Sequence, residues 1–152
     1  MTGMTTFTLE SEQWLPREPE ELFRFFADAT NLEQLTPPWL HFHITRLPGE
    51  MRKGARIEYR LRLHGIPLRW HSEITDWAPP LRFADTQIRG PYRSWIHEHC
   101  FERRDGGTRM RDRVRYAITG GALVRKYIVA PDLARIFQFR KERLTSFFGG
   151  KP

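Results

Sequence analysis

The sequence predicts an α+β fold in which a seven-stranded antiparallel sheet wraps around one long C-terminal helix. Three observations carry that expectation. Apolar spacing shifts from two to a helical period near residue 19, returns to two between His41 and Ile118, and becomes helical again from Pro131 to Phe148. Turn signals at Pro48-Gly49, Gly65-Ile66-Pro67, Pro79-Pro80, Gly90-Pro91 and Asp105-Gly106-Gly107 divide the middle stretch into six strands. At 152 residues and 18.1 kDa the chain suits one hydrophobic core, so residues 1–152 are read as a single domain.

Each element has its own reason. Thr5 to Gln13 alternates around Phe7 and Leu9, as a strand does. Pro19 to Ala27 puts Leu22, Phe23, Phe26 and Ala27 on one helical stripe, and Pro19 with Glu20 and Glu21 suits a helix N-terminus. A short helix from Asn31 to Leu35 stops before Pro37-Pro38. The Pro37 to Leu40 segment that follows is expected at one mouth of the groove, as part of a gate. After the six strands and a loop around Gly120-Gly121, the last helix carries Leu133, Ile136, Phe137, Leu144, Phe147 and Phe148 on one side. It is the only element long enough to cover the apolar face of a seven-stranded sheet.

Alternation assigns the faces. Ile57, Tyr59, Leu61 and Leu63 point inward, as do Leu68, Trp70, Ser72 and Ile74, then Phe83, Asp85 and Gln87. The next two strands send in Trp95, His97, His99 and Phe101, and Met110, Asp112, Val114 and Tyr116. Asp105-Gly106 is a two-residue hairpin signal. Setting Arg104 opposite Gly107 pairs Phe101 with Met110, His99 with Asp112 and His97 with Val114. The same register sets Glu102 opposite Arg109 and Glu98 opposite Arg113 on the outer face, so opposite charges meet there too. Across the Gly90-Pro91 turn, Asp85 is expected near His97.

The segments PPWLHFHI (37–44), HGIPLRW (64–70), GPYRSWIHEHCFE (90–102) and DGGTRMRDRVRY (105–116), in this order of elements, resemble the START and polyketide cyclase superfamily of helix-grip proteins. The resemblance covers nearly the whole chain and is nearest to bacterial cyclase/dehydrase-like ligand-binding members. It implies an internal cavity for a hydrophobic small molecule such as a lipid, an isoprenoid quinone or a polyketide-like compound.

The inward residues then define a groove. Its expected ligand-binding lining is Tyr59, Trp70, Ser72, Phe83, Gln87, Trp95, His97, His99, Phe101, Met110, Asp112, Tyr116 and Phe137, with Asp85, Gln87, His97, His99 and Asp112 as a polar band. Buried ionisable groups are costly unless they pair or meet a ligand. The band therefore admits three readings: a satisfied network that fixes register, a set of groups that orients a ligand, or a cyclase/dehydratase-type general base built from His97 and His99 with Asp85 and Asp112. No nucleophile motif, phosphate loop or paired catalytic carboxylates accompany it. His97-x-His99 places two imidazoles on one strand face and Asp112 could join them, but three ligands inferred over two strands are thin grounds, and neither metal nor cofactor is expected.

Charge adds less than it promises. The chain is +7 overall, with residues 1–51 carrying 3 basic and 8 acidic side chains and residues 52–152 carrying 22 and 10. Parity puts Arg56, Arg60, Arg62, Arg109, Arg111, Arg113 and Arg115 on the outer face. A solvated sheet surface is one reading, and a membrane- or partner-contacting accessory module is another, with a weak contact to an anionic bilayer. No run of aromatics accompanies the arginines for base stacking, so no nucleic acid is expected. The lone Cys100 excludes an internal disulfide, and no apolar run reaches the length of a membrane span, so a cytoplasmic protein is expected.

Overall fold

The computed structural model describes residues 4–150. Strand β1 (Phe7–Leu15) leads through α1 (Pro19–Ala27), α2 (Asn31–Leu35) and a 3-10 turn (Pro38–Leu40) into β2 (His43–Arg46), β3 (Arg56–Leu63), β4 (Ile66–Ala78), β5 (Arg82–Arg89), β6 (Ser94–Arg104) and β7 (Gly107–Ala117). A helical stretch of α3 (Gly121–Val124), a π-helical turn (Arg125–Val129) and α4 (Ala130–Phe148) closes the chain. The seven strands run β1-β7-β6-β5-β4-β3-β2, all pairs antiparallel, so the first strand lies against the last. This is the helix-grip architecture.

Two boundaries differ from the sequence expectation. Strand β1 is shifted two residues along, from Thr5–Gln13 to Phe7–Leu15, because its ladder on β7 runs from Phe7 opposite Tyr116 to Leu15 opposite Thr108. Helical structure begins at Gly121 rather than Pro131, and the π turn is its accommodation: Pro131 has no N–H to close the turn before it, and a widened turn absorbs the missing bond.

The β6–β7 register holds along its whole length, from Ser94 opposite Ala117 to Arg104 opposite Gly107. Asp105 and Gly106 both have positive φ (51° and 74°), as a type I′ turn requires. Gly107 is needed for a different reason: a Cβ there would stand 2.4 Å from the carbonyl oxygen of Leu15.

The outer-face charges meet less simply than straight-across pairing suggests. Arg109 bonds Glu12 and reaches Glu102 only at 4.0 Å, Arg113 pairs with Glu10 at 2.9 Å, and Glu98 pairs with Arg115 at 2.9 Å. The glutamates of β1 supply half of this neutralisation. On the far side of the sheet Arg60 faces Arg69 across β3 and β4, with no ion pair among the described residues.

Inside, two apolar clusters share the concave face. Leu15, Leu22, Phe23, Phe26, Phe83, Phe101, Met110 and Leu144 form one, closed over by α1. Leu40, Leu61, Trp70, Trp95, Val114, Tyr116, Leu133 and Phe137 form the other. Helix α4 spans both, and Gln13 ties it to β1 by donating from Nε2 to the Lys141 carbonyl (2.8 Å) and to Thr145 Oγ1 (2.9 Å). No helix among the described residues is long and apolar enough to cross a membrane.

Candidate functional site

Between the two clusters lies a polar band assembled from four elements. Strand β6 presents His97 and His99 two residues apart, so both imidazoles leave the same face, and they stack with ring centroids 3.7 Å apart. Strand β5 brings Asp85, β7 brings Asp112, and α4 brings Arg140. His97, His99, Asp112 and Arg140 are all less than a tenth exposed, and Asp85 opens partly to the cavity.

The register places Asp85 opposite His97 and His99 opposite Asp112. The shortest hydrogen bonds, both from Nε2, run diagonally instead. His97 Nε2–H donates to Asp112 Oδ1 at 2.8 Å, and His99 Nε2–H donates to Asp85 Oδ2 at 2.9 Å. His99 Nδ1 lies 3.2 Å from Asp112 Oδ1, so one carboxylate oxygen backs both rings. Arg140 Nη2 completes the point, 3.5 Å from Asp112 Oδ1 and 3.3 Å from His99 Nδ1, while its guanidinium carbon sits 5.0 Å from the centre of the Phe26 ring. His97 Nδ1 makes no hydrogen bond among the described residues; Asp85 Oδ2 stands 4.0 Å from it.

These neighbours divide the charges. Burial would raise the Asp112 carboxyl, but the charge of Arg140 and the hydrogen bonds from both histidines hold it well below the ordinary range. Burial would likewise raise Asp85, and the hydrogen bond from His99 with the nearby cationic charge keeps it low. For His97, burial and then the neighbouring His99 charge outweigh Asp112 and push the imidazole down, so it is neutral. For His99, burial is overcome by its hydrogen bonds to Asp112 and Asp85, and its pKa rises. The band therefore pulls the two imidazoles apart, favouring the neutral form of His97 and the charged form of His99.

Two adjoining hollows open on this band. The larger, about 150 Å³, is lined by Leu40, Leu61, Trp70, Trp95, Leu133 and Phe137 among others. The second, about 140 Å³, reaches Ser72, Phe83, Asp85 and His99. Tyr59, Trp70, Trp95, His97, Leu32 and Arg140 belong to both walls. Tyr59 lies parallel to Trp70 at 5.8 Å, and Trp70 Nε1–H donates to Ser72 Oγ at 3.0 Å, so the indole is held in place beside the space.

Most of the expected lining is thus brought together: Tyr59, Trp70, Ser72, Phe83, Trp95, His97, His99 and Phe137 all face the hollows. Others lie elsewhere. Gln87 is bound to the β5–β6 turn, donating to the Tyr92 carbonyl (2.8 Å) and accepting from the Tyr92 N–H. Phe101 and Met110 are in the packed cluster, Tyr116 lies in the wall behind Tyr92 and Trp95, and Asp112 stands behind the histidines. The Pro38–Leu40 turn puts Leu40 in the wall of the larger hollow while Trp39, half exposed, packs edge-on against Phe139.

Sequence reasoning missed Arg140. The signal was present: Leu133, Phe137, Arg140 and Leu144 follow one another at spacings of four, three and four, so a cation sits within the apolar stripe of the helix.

Comparison with known proteins bears on the fold and the family. Residues 15–144 match the model of the family described as polyketide cyclase/dehydrase and lipid transport. A search of curated proteins found no match. Among solved structures, the protein CV1439 from Chromobacterium violaceum superposes with a TM-score of 0.74 at 16% identity, covering 95% of this chain and 99% of that one. Major latex-like protein 151 from Panax ginseng gives 0.71 at 9% identity (94% and 97% covered), and Ara h 8.0201 gives 0.68 at 17% (94% and 97%). At such identities these neighbours speak for the architecture alone.

Proposed function

The chain belongs to the polyketide cyclase/dehydrase and lipid transport family, and from that premise we propose that it binds a compact, ring-containing apolar molecule with an oxygen-bearing end. The observation that supports this reading is the retained space between Trp70, Trp95, Leu61, Leu133 and Phe137, beside a buried polar band, in an interior packed elsewhere. Size narrows the class. A dry cavity of about 150 Å³ accommodates one benzene-sized ring. Two adjoining hollows of about 150 and 140 Å³ suit a fused or substituted ring system, such as a polyketide-like aromatic or the head of a quinone, better than a two-chain lipid. The apolar body would lie on Trp70 and Trp95, and its oxygen would meet His97 or Arg140.

A calorimetric titration with 1,4-naphthoquinone, with palmitate as the comparison, tests the proposal. We expect saturable naphthoquinone binding that Leu133→Trp abolishes, because the indole occupies the larger hollow. Absence of binding by both compounds, or binding that survives Leu133→Trp, overturns it.

One observation favours a second reading. Neutral His97, oriented through Nε2 by Asp112 with Nδ1 unengaged, is arranged as a general base for cyclisation or dehydration of such a ligand. It requires turnover that is lost in His97→Gln while ligand binding persists.

Contact with an anionic bilayer is a further part of the proposal. It falls to the β3–β4 end of the sheet, where Arg60 and Arg69 lack carboxylate partners among the described residues.

A further inference from the structure

With both imidazoles neutral, the band carries two carboxylates, Asp85 and Asp112, against one permanent cation, Arg140. These three groups sum to one negative charge, and the ring nitrogens are arranged to hold a cation beside them. Asp112 Oδ1 accepts from His97 Nε2 and backs His99 Nδ1, so the outer nitrogen of each ring is fixed by the same oxygen. The inner nitrogens, His97 Nδ1 and His99 Nε2, are thereby turned toward one atom, Asp85 Oδ2, at 4.0 and 2.9 Å. One ligand atom from each of Asp85, His97 and His99 lies within 4.8 Å of the other two.

We propose that Asp85, His97 and His99 form a binding site for a divalent transition-metal ion of the zinc, cobalt or iron(II) type, with Asp112 as the carboxylate that orients both histidines.

Three geometric facts support it. Metal–ligand distances of roughly 2.0–2.2 Å in tetrahedral geometry separate neighbouring ligand atoms by about 3.3 Å, which lies between the two distances to Asp85, so the carboxylate and the two stacked rings would turn together to share an ion. Histidine ligands commonly give their second N–H to a carboxylate, which fixes the tautomer and raises the basicity of the ligating nitrogen; Asp112 supplies this to both rings at once. Two histidines and one carboxylate leave coordination positions free, and here the open side faces the hollow lined by Trp70, Trp95 and Tyr59. The sequence pairing of His97-x-His99 with Asp112 has the ligand and its support exchanged: Asp85 takes the inner position and Asp112 the outer one.

The ion would give the cavity a Lewis-acidic anchor for the oxygen of an apolar ligand. The site does not depend on that ligand, however, and naphthoquinone binding can fail while metal binding stands, or the reverse.

Titration of the chelator-stripped chain with Co(II), followed by visible absorption and calorimetry, tests the inference. We expect one equivalent per chain, d–d bands of a four- or five-coordinate nitrogen and oxygen site, and displacement by Zn(II). Asp85→Asn and His97→Gln should each abolish the bands, and Asp112→Asn should weaken affinity by about 10- to 100-fold. Circular dichroism and a thermal melt verify that each variant is folded. Should the variants unfold, long-range 1H–15N spectra of the unaltered chain decide, with Zn(II) shifting His97 Nδ1 and His99 Nε2. Failure to bind one equivalent, binding that survives both Asp85→Asn and His97→Gln, or shifts confined to His41, His43, His64 or His71 overturns the inference.

Discussion

The concave face of the sheet has two halves built from the same kinds of residue, yet only one is solid. Near the β6–β7 hairpin, Phe101, Met110, Leu15 and Leu144 are met from above by Leu22 and Phe23 of α1, while Phe26 and Phe83 at the seam border the second hollow. Phe23 alone makes edge-on contacts with Trp77, Phe83 and Phe101 at 4.8 to 5.7 Å. At the other end, Trp70, Trp95, Leu61, Leu133 and Phe137 have no such plug; the 3-10 turn contributes Leu40, and space remains. One helix cannot fill a curved sheet of seven strands. Helix α1 decides which end is filled, the cavity is what it leaves open, and the polar band marks the seam.

The contrast can be tested in order of effect. Asp112→Ala strikes the seam and strands Arg140 beside two buried imidazoles; urea unfolding should show a loss of about 3–5 kcal/mol, the cost of an uncompensated buried charge. A loss below ~1 kcal/mol would mean the band is not a paired network. Next, Phe101→Ala in the solid half should cost about 3–5 kcal/mol, whereas Leu133→Ala, whose side chain already borders open space, should sit near ~2 kcal/mol at the low end of such truncations. Equal values for the two would erase the distinction between the halves. Enlargement reverses the ranking: Leu144→Trp should destabilise by roughly 1–3 kcal/mol through overpacking, and Leu133→Trp should be nearly neutral in a thermal melt. The smallest stability effect belongs to the outer surface. Arg60→Glu should change stability by no more than ~0.5 kcal/mol, and in liposome flotation at low salt it should abolish retention on anionic vesicles. Retention equal to that of the unaltered chain would remove the β3–β4 face from the proposed bilayer contact.

The sequence disclosed the sheet well because strands advertise themselves locally. Parity alone told which residues share a face, and Asp105-Gly106 locked β6 onto β7, so the meeting of His97, His99, Asp85 and Asp112 followed. What parity cannot express is the direction a side chain takes once inside. Each histidine makes its shortest hydrogen bond diagonally across the ladder, which lies within range of long side chains, rather than to the residue directly opposite. Arg140 escaped because a cation in an apolar stripe is read as an interruption until its partners on other strands are known. The size of the cavity and its division into two hollows escaped for a related reason: empty volume is a difference between what two distant segments bring together, and no single segment records it. Gln87 points the same way, since its parity was inward but Tyr92, five residues on in the turn, claimed its amide.

The pairing of β1 with β7 has a consequence for the life of the chain. Phe7 lies opposite Tyr116 and Leu15 opposite Thr108, so β1 leaves the ribosome well before its ladder partner. Until β7 emerges, Phe7 and Leu9 have no sheet to join. The contacts that seat them are of long sequence separation, the kind that slows folding. Closure of the sheet and docking of α4 through Gln13 thus wait until β7 and α4 have been made. A molecule destined for the cavity has, during that interval, an open trough to enter before any wall must part.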